Sequence, residues 1–128
     1  MSSELSILAL FGLLVIVTVF LQVLLAVPQV GIPYLSSPRD DAKPLTGPAG
    51  RAVRAVENSA ITLAMFAPAI LLLAVQDKFT AATLLAAQIF LLARIAFVVL
   101  YLAGLSYVRT AVWIAGILST AFLYLQAM

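Results

Sequence analysis

Four long apolar stretches, separated only by short polar breaks, leave this chain little choice of architecture. From residue 5 to residue 27 the sequence is almost unbroken Leu, Ile, Val, Phe and Ala, interrupted only by Ser6, Gly12, Thr18 and Gln22. A helix needs about 20 apolar residues to cross a bilayer, and this stretch supplies them. The chain opens Met-Ser-Ser-Glu, with no basic start, and its apolar stretch exceeds the roughly 7–15 residues of a secretory signal, so it reads as a retained first span. Two thirds of the residues are apolar (65%) and 9% are charged, too little polar surface to coat a water-soluble globule. With 128 residues, the chain has room for one domain over residues 1–128, and none for an additional soluble catalytic domain.

The remaining spans follow from the punctuation. Pro28, Pro33, Pro38, Pro44 and Pro48, with Gly31, Gly47 and Gly50 among them, predict an extramembrane loop over residues 28–50. A second helix is predicted over 51–76, kinked at Pro68, and a third over 80–103 after the short break at Gln76 to Phe79. A fourth is predicted over 107–126, with Gly104 as C-cap and Ser106 as N-cap of the last turn. The expected fold class is therefore an all-α membrane protein, a bundle of four transmembrane helices.

Cysteine and histidine are both absent, which removes protein thiol nucleophiles, disulfides, Cys/His zinc sites and a histidine general base; no metal site is expected. Lys and Arg form no dense run able to track a phosphate backbone, which excludes nucleic acid as a partner. No Gly-rich phosphate loop, paired catalytic carboxylates or Ser-His-Asp set can be assembled. Tyr34, Tyr107 and Tyr124 read as interfacial anchors, and Ala111, Ala115 and Ser119 as a small-residue packing edge.

The basic residues carry what remains. Arg51, Arg54 and Asn58, spaced i, i+3 and i+7, fall on one side of the second helix near its start, a face that suits either an anion or lipid phosphates. Glu57 adjoins them. Arg94 lies inside the third span, where an arginine costs roughly 2.5–3.5 kcal/mol unless it meets protein, water or ligand; Glu57 is the one acid expected to reach its depth. Tyr101 continues the same face, with Phe97 between. Arg109 falls in the first turn of the fourth helix, where the macrodipole disfavours a cation but favours an anion docked beside it, with the Thr110 hydroxyl adjacent. Snorkelling to phospholipid head groups is the alternative reading of Arg109.

Taken together, Gly50-Arg51-Ala52-Val53-Arg54-Ala55-Val56-Glu57-Asn58, followed by Ala93-Arg94, Tyr101 and Arg109, resemble the membrane-associated proteins in eicosanoid and glutathione metabolism, the MAPEG family. The resemblance spans the four-helix layout, and its specific motifs cover about residues 50–110. It implies a homotrimer binding glutathione between neighbouring subunits. Arg54 and Asn58 match positions that hold the peptide, with Arg51, Glu57 and Thr110 beside them. Arg94 and Tyr101 match positions lining the same cleft, and Arg109 matches the arginine that stabilises the thiolate. The implied activity is transfer or peroxidase chemistry on a hydrophobic small-molecule substrate drawn from the surrounding membrane lipids. The sequence departs from the family in having Ile61 where a Glu follows the Asn by three, Phe97 where a Tyr or His is found, and no arginine at the end of the first helix. Glu57 points about 100° away from Asn58 around the helix. A non-catalytic member binding lipid or another anion is the chief alternative. A small multidrug transporter would need a carboxylate at mid-membrane, and Glu4 sits at the end of its span.

Arg39, Lys43, Arg51, Arg54 and Arg109 belong to the first and third connections, against Lys78 on the other side. The positive-inside rule then places the long loop in the cytoplasm and both termini outside, in a cell inner membrane. A reporter active only in the cytoplasm is accordingly expected to be silent when fused to the C-terminus; activity there would invert the topology.

Overall fold

The computed structural model describes residues 3–40 and 43–128; Asp41, in the predicted loop, lies outside the described residues. The element order is α1 (Glu4–Val30), α2 (Ile32–Leu35), α3 (Gly47–Gln76), α4 (Ala81–Ala103) and α5 (Tyr107–Ala127). Four of these, all but α2, are long and apolar enough to cross a membrane. In the most apolar stretch of α1 only 17% of residues are buried inside the bundle. Its remaining side chains, among them Leu13, Ile16, Phe20 and Leu24, need an apolar solvent, which the bilayer supplies.

Local chemistry sets the ends. The Ser3 side chain accepts from the Ser6 N–H (3.1 Å) at the start of α1, and Thr80 and Thr83 form a reciprocal capping box at the start of α4, each satisfying donors that the first turn leaves free. Gly104 ends α4 in the left-handed region (φ 80°), with the Leu105 N–H donating to the Leu100 carbonyl at 3.1 Å. The same turn ends α3, but with Asp77 at φ 55°, a role open to Asp as well as Gly. Ser106 occupies the position before α5 yet makes no side-chain capping bond.

Three of the prolines expected to mark a loop over 28–50, Pro28, Pro33 and Pro48, lie in helices. Pro28 lies inside α1, which continues three residues beyond the predicted end at 27 and stops at Gly31. Near a C-terminus the missing N–H forfeits one hydrogen bond of the final turn, and the chain keeps its helical path. Pro33 and Pro48 sit in the first turns of α2 and α3, where an N–H has no helical acceptor to lose. Consequently α3 begins at Gly47 instead of residue 51, and the predicted loop over 28–50 contains a helical turn and the start of a span. Pro68 is carried within α3.

Contacts are densest between α1 and α3 and between α4 and α5. Three phenylalanines from three helices join these pairs. Phe66 and Phe90 stack with centroids 3.8 Å apart, and Phe11 presents its edge to both, at 6.2 and 4.9 Å. Ile7, Ile70, Leu73, Ala87 and Leu123 close around them, all fully buried. Hydroxyls inside the spans are satisfied locally: Thr18, Thr62, Ser119 and Thr120 each donate to the carbonyl four residues back, the arrangement that lets such residues enter hydrocarbon. Between helices, the Thr83 hydroxyl donates to buried Glu4 (2.7 Å) and the Tyr124 hydroxyl to the Met65 carbonyl (2.6 Å). Tyr124 thus ties α5 to α3, beyond the anchor role expected for it. The buried edge of α5 is Gly116, Ser119, Thr120, Leu123 and Ala127, whereas Ala111 is exposed.

Truncating one of the stacked rings removes dispersion contacts that lipid cannot restore inside the bundle. Phe90→Ala is expected to lower stability by about 3–5 kcal/mol, and Leu92→Ala, 67% exposed on the same helix, by about 0.5 kcal/mol or less. Equilibrium unfolding in mixed micelles measures both, and equal losses would remove the ring cluster as the centre of the core.

Candidate functional site

The site is built where α3 starts, α4 ends and α5 starts, at the end of the bundle that carries five of the seven cations. Arg94, expected to line the cleft, is instead buried beneath it and is not among the residues lining the recess there. Its side chain is 1% exposed, one terminal nitrogen donates to the Ser59 hydroxyl at 3.2 Å, and Nε has no partner among the described residues. The guanidinium carbon lies 4.2 Å from the centre of the Phe97 ring and 5.9 Å from that of Phe11. The protein solves the problem of an intramembrane arginine with a hydroxyl and aromatic faces. Glu57, the expected partner, is exposed on another side of α3. It precedes Ser59 by two residues, which places the two about 200° apart around the helix.

From Arg94 a ladder of alternating character climbs toward the end of the bundle. Phe97 contacts Tyr101 with centroids 5.3 Å apart, and the Arg109 guanidinium sits 4.5 Å from the centre of the Tyr101 ring. Arg109 is thereby fixed across from α4 instead of trailing into lipid, since the ring's negative face holds a cation. Beside it lies a recess of about 180 Å³ lined by Asn58, Phe97, Tyr101, Arg109, Thr110 and Trp113. Backbone N–H groups of the first turn of α5 lack helical acceptors, and Ser106 offers no side-chain cap, so this end of α5 favours negative charge. The Thr110 hydroxyl donates to the Ser106 carbonyl at 3.0 Å; its proton is committed, contrary to the expectation that it would serve an anion. The Asn58 carboxamide oxygen lies 3.4 Å from the Thr62 hydroxyl, and its N–H₂ group has no partner among the described residues.

The other candidates are placed elsewhere. Arg51 donates from Nε to the Leu102 carbonyl at 3.1 Å and lies against Gly104, so it caps the C-terminus of α4, where a cation meets the negative end of the dipole. Arg54 and Glu57 line a second recess of about 460 Å³ between α1, the connecting loop and α3. The i, i+3, i+7 spacing explains the division. Arg51 and Asn58 are only about 20° apart around the helix, but Arg54 is turned about 60° from Arg51 and Glu57 a further 60° the same way. Within one protomer, Arg54 and Arg109 therefore do not share a recess.

Two contributors were overlooked by the sequence reading. Ser59 belongs to a buried row, Ala52, Ala55, Ser59, Thr62 and Phe66, whose three- and four-residue spacing is visible in the sequence. Trp113 stands four residues after Arg109 and so on the same side of α5.

The model of the MAPEG family matches residues 7–128, nearly the whole chain, and the chain belongs to that family. No curated protein and no solved structure matches it.

If Ser59 carries part of the Arg94 charge, Ser59→Ala should cost about 1–3 kcal/mol in the native background and much less once Arg94 is replaced by Leu. A double-mutant cycle read by unfolding measures this coupling. Additive losses would show that the pair does not interact.

Proposed function

We propose that this MAPEG protein binds glutathione in the recess beside Arg109 and uses it as a thiol for transfer to, or peroxidase chemistry on, hydrophobic electrophiles dissolved in the bilayer. The observation that carries the reading is the placement of the Arg109 guanidinium, held on the Tyr101 ring at 4.5 Å in the first turn of α5, over a recess that also presents Asn58.

The residues fit a thiol peptide in part. Glutathione, when bound, supplies the sulfur nucleophile, and a free thiol of this type has a pKa near 8.5. Arg109 and the positive end of α5 favour the thiolate over the thiol, and Asn58 has an amide donor for a peptide carbonyl or carboxylate. Phe97 and Trp113 form the apolar side of the recess, limiting water near the sulfur. The recess at about 180 Å³ is smaller than the roughly 300–1,000 Å³ typical of small-molecule sites, so a second protomer must cover the rest of the peptide; a homotrimer with its clefts between subunits meets that need. Among the described residues no carboxylate lines this recess, and an amino group on the ligand must find its acceptor on the neighbouring protomer or in water. This last feature favours, as second reading, a member that binds an anion without turnover.

Thermal unfolding in detergent separates the two. Millimolar glutathione is expected to raise the melting temperature, and the bound peptide to show thiolate ultraviolet absorbance at neutral pH. Arg109→Ala is expected to remove that absorbance and to lower kcat/KM for a hydrophobic electrophile about 100-fold. Absence of any stabilisation by glutathione would leave only the non-catalytic reading.

A further inference from the structure

The two recesses of this bundle treat their cations differently. The larger one, near the point where Leu45 of the connection closes on Gly50, brings Arg39, Lys43 and Arg54 to one lining. Among the described residues the smaller one is lined by a single guanidinium, that of Arg109, although a second lies close behind its wall. Arg94 stands on the same helix as two of the lining residues, Phe97 and Tyr101, and its hydrogen-bond partner Ser59 directly follows a third, Asn58. Position along α3 and α4 thus carries Arg94 to the edge of the recess, yet it is only 1% exposed.

The Phe97 ring accounts for this. It is 3% exposed and still lines the recess, so a small part of its surface faces the opening and the rest is covered. Part of that cover is Arg94, whose guanidinium carbon stands 4.2 Å from the ring centre, within the range of a cation held on an aromatic face. Tyr101 braces the ring from the next turn of α4, at 5.3 Å between centroids. One aromatic side chain therefore touches the recess and the buried cation together. The ring's attraction holds the cation in place, but a ring has no N–H to pass on to a guest. Arg94 keeps donor capacity in hand, since Ser59 takes one N–H and Nε has no partner among the described residues. Phosphate-like oxyanions are held best by several charge-assisted N–H bonds, and it is this capacity that the ring withholds.

We propose that Phe97 is a specificity-determining residue, a partition that keeps the donors of Arg94 out of the recess and fits the Arg109 site to a group of single negative charge, a thiolate or carboxylate, by denying a dianion such as sulfate a second guanidinium. The proposal rests on the reading of the recess beside Arg109 as an anion site, and it holds whether or not that anion is glutathione. Removing the partition adds a cation to the lining without adding a charge to the protein.

Titration of the full chain in detergent with sulfate and with acetate, at constant ionic strength and read by thermal unfolding, provides the test. Phe97→Ala is expected to tighten sulfate relative to acetate about ten-fold, the gain from roughly one charge-assisted hydrogen bond. Adding Arg94→Leu to Phe97→Ala should return the ratio to that of the native chain, and Arg109→Ala should weaken both anions. A ratio unchanged by Phe97→Ala, with both anions still dependent on Arg109, overturns the partition alone. Binding indifferent to Arg109 overturns the anion site beneath it. Phe97→Val replaces Phe97→Ala if the larger truncation does not fold. Phenylglyoxal, which modifies accessible guanidinium groups, gives a second readout by mass spectrometry: Arg109 should react and Arg94 be spared in the native chain, and both should react in the truncated variant. Modification of Arg94 in the native chain, or its continued protection in the variant, overturns the proposal.

Discussion

A bilayer offers a buried guanidinium neither water nor counter-ions, and the arrangement of this protein follows from meeting that demand inside the bundle. Arg94 rests on Phe97 of its own helix, bonds Ser59 of α3 and faces the Phe11 ring of α1 at 5.9 Å. Ser59 requires α3 to come close, which its row of Ala52, Ala55 and Thr62 permits. Gly116 of α5 packs alongside, and even a methyl group there would lie at ordinary contact distance, 3.7 Å, from Arg94 Cδ. Small residues around one large polar side chain and a stacked aromatic core beneath it are parts of the same packing solution.

The ladder from Arg94 through Phe97 and Tyr101 to Arg109 links this interior arrangement to the end of the bundle. Arg109 would otherwise be a flexible interfacial arginine of the kind that follows lipid phosphates. Seated on Tyr101, it marks a fixed location for negative charge next to the free N–H groups of α5. Arg51 does comparable work nearby by capping α4, which stabilises the turn into α5. The two recesses therefore share a scaffold, α3, while presenting their cations in different directions.

Much of this was legible in the sequence. The four spans are written in hydropathy, and Gly104 marked the last turn because a left-handed residue follows a helix end so often. The coincidence of Arg94, Phe97 and Tyr101 on one face was readable from spacing as well. Other features were not. Proline reads as a breaker, yet Pro33 and Pro48 start helices and Pro28 lies within one; only the position of the free acceptors distinguishes these cases, and that position depends on where the helix begins. Arg54 and Asn58 looked like one binding face because a helical wheel treats about 40° as close, but Arg54 lines the recess beside α1 and Asn58 the one beside α5. Ser59 went unremarked because a serine in an apolar span usually satisfies itself.

Gly50 has a wider meaning for the architecture. A β-carbon at this position would lie 2.7 Å from the Leu45 carbonyl oxygen, closer than such atoms approach, so the connection and the third helix fit together only with glycine there. The contour of the basic chamber is consequently decided by a missing methyl group, at a position that carries no charge and offers a ligand no side chain of its own. Shape here is a property of the backbone, and the cations merely decorate it.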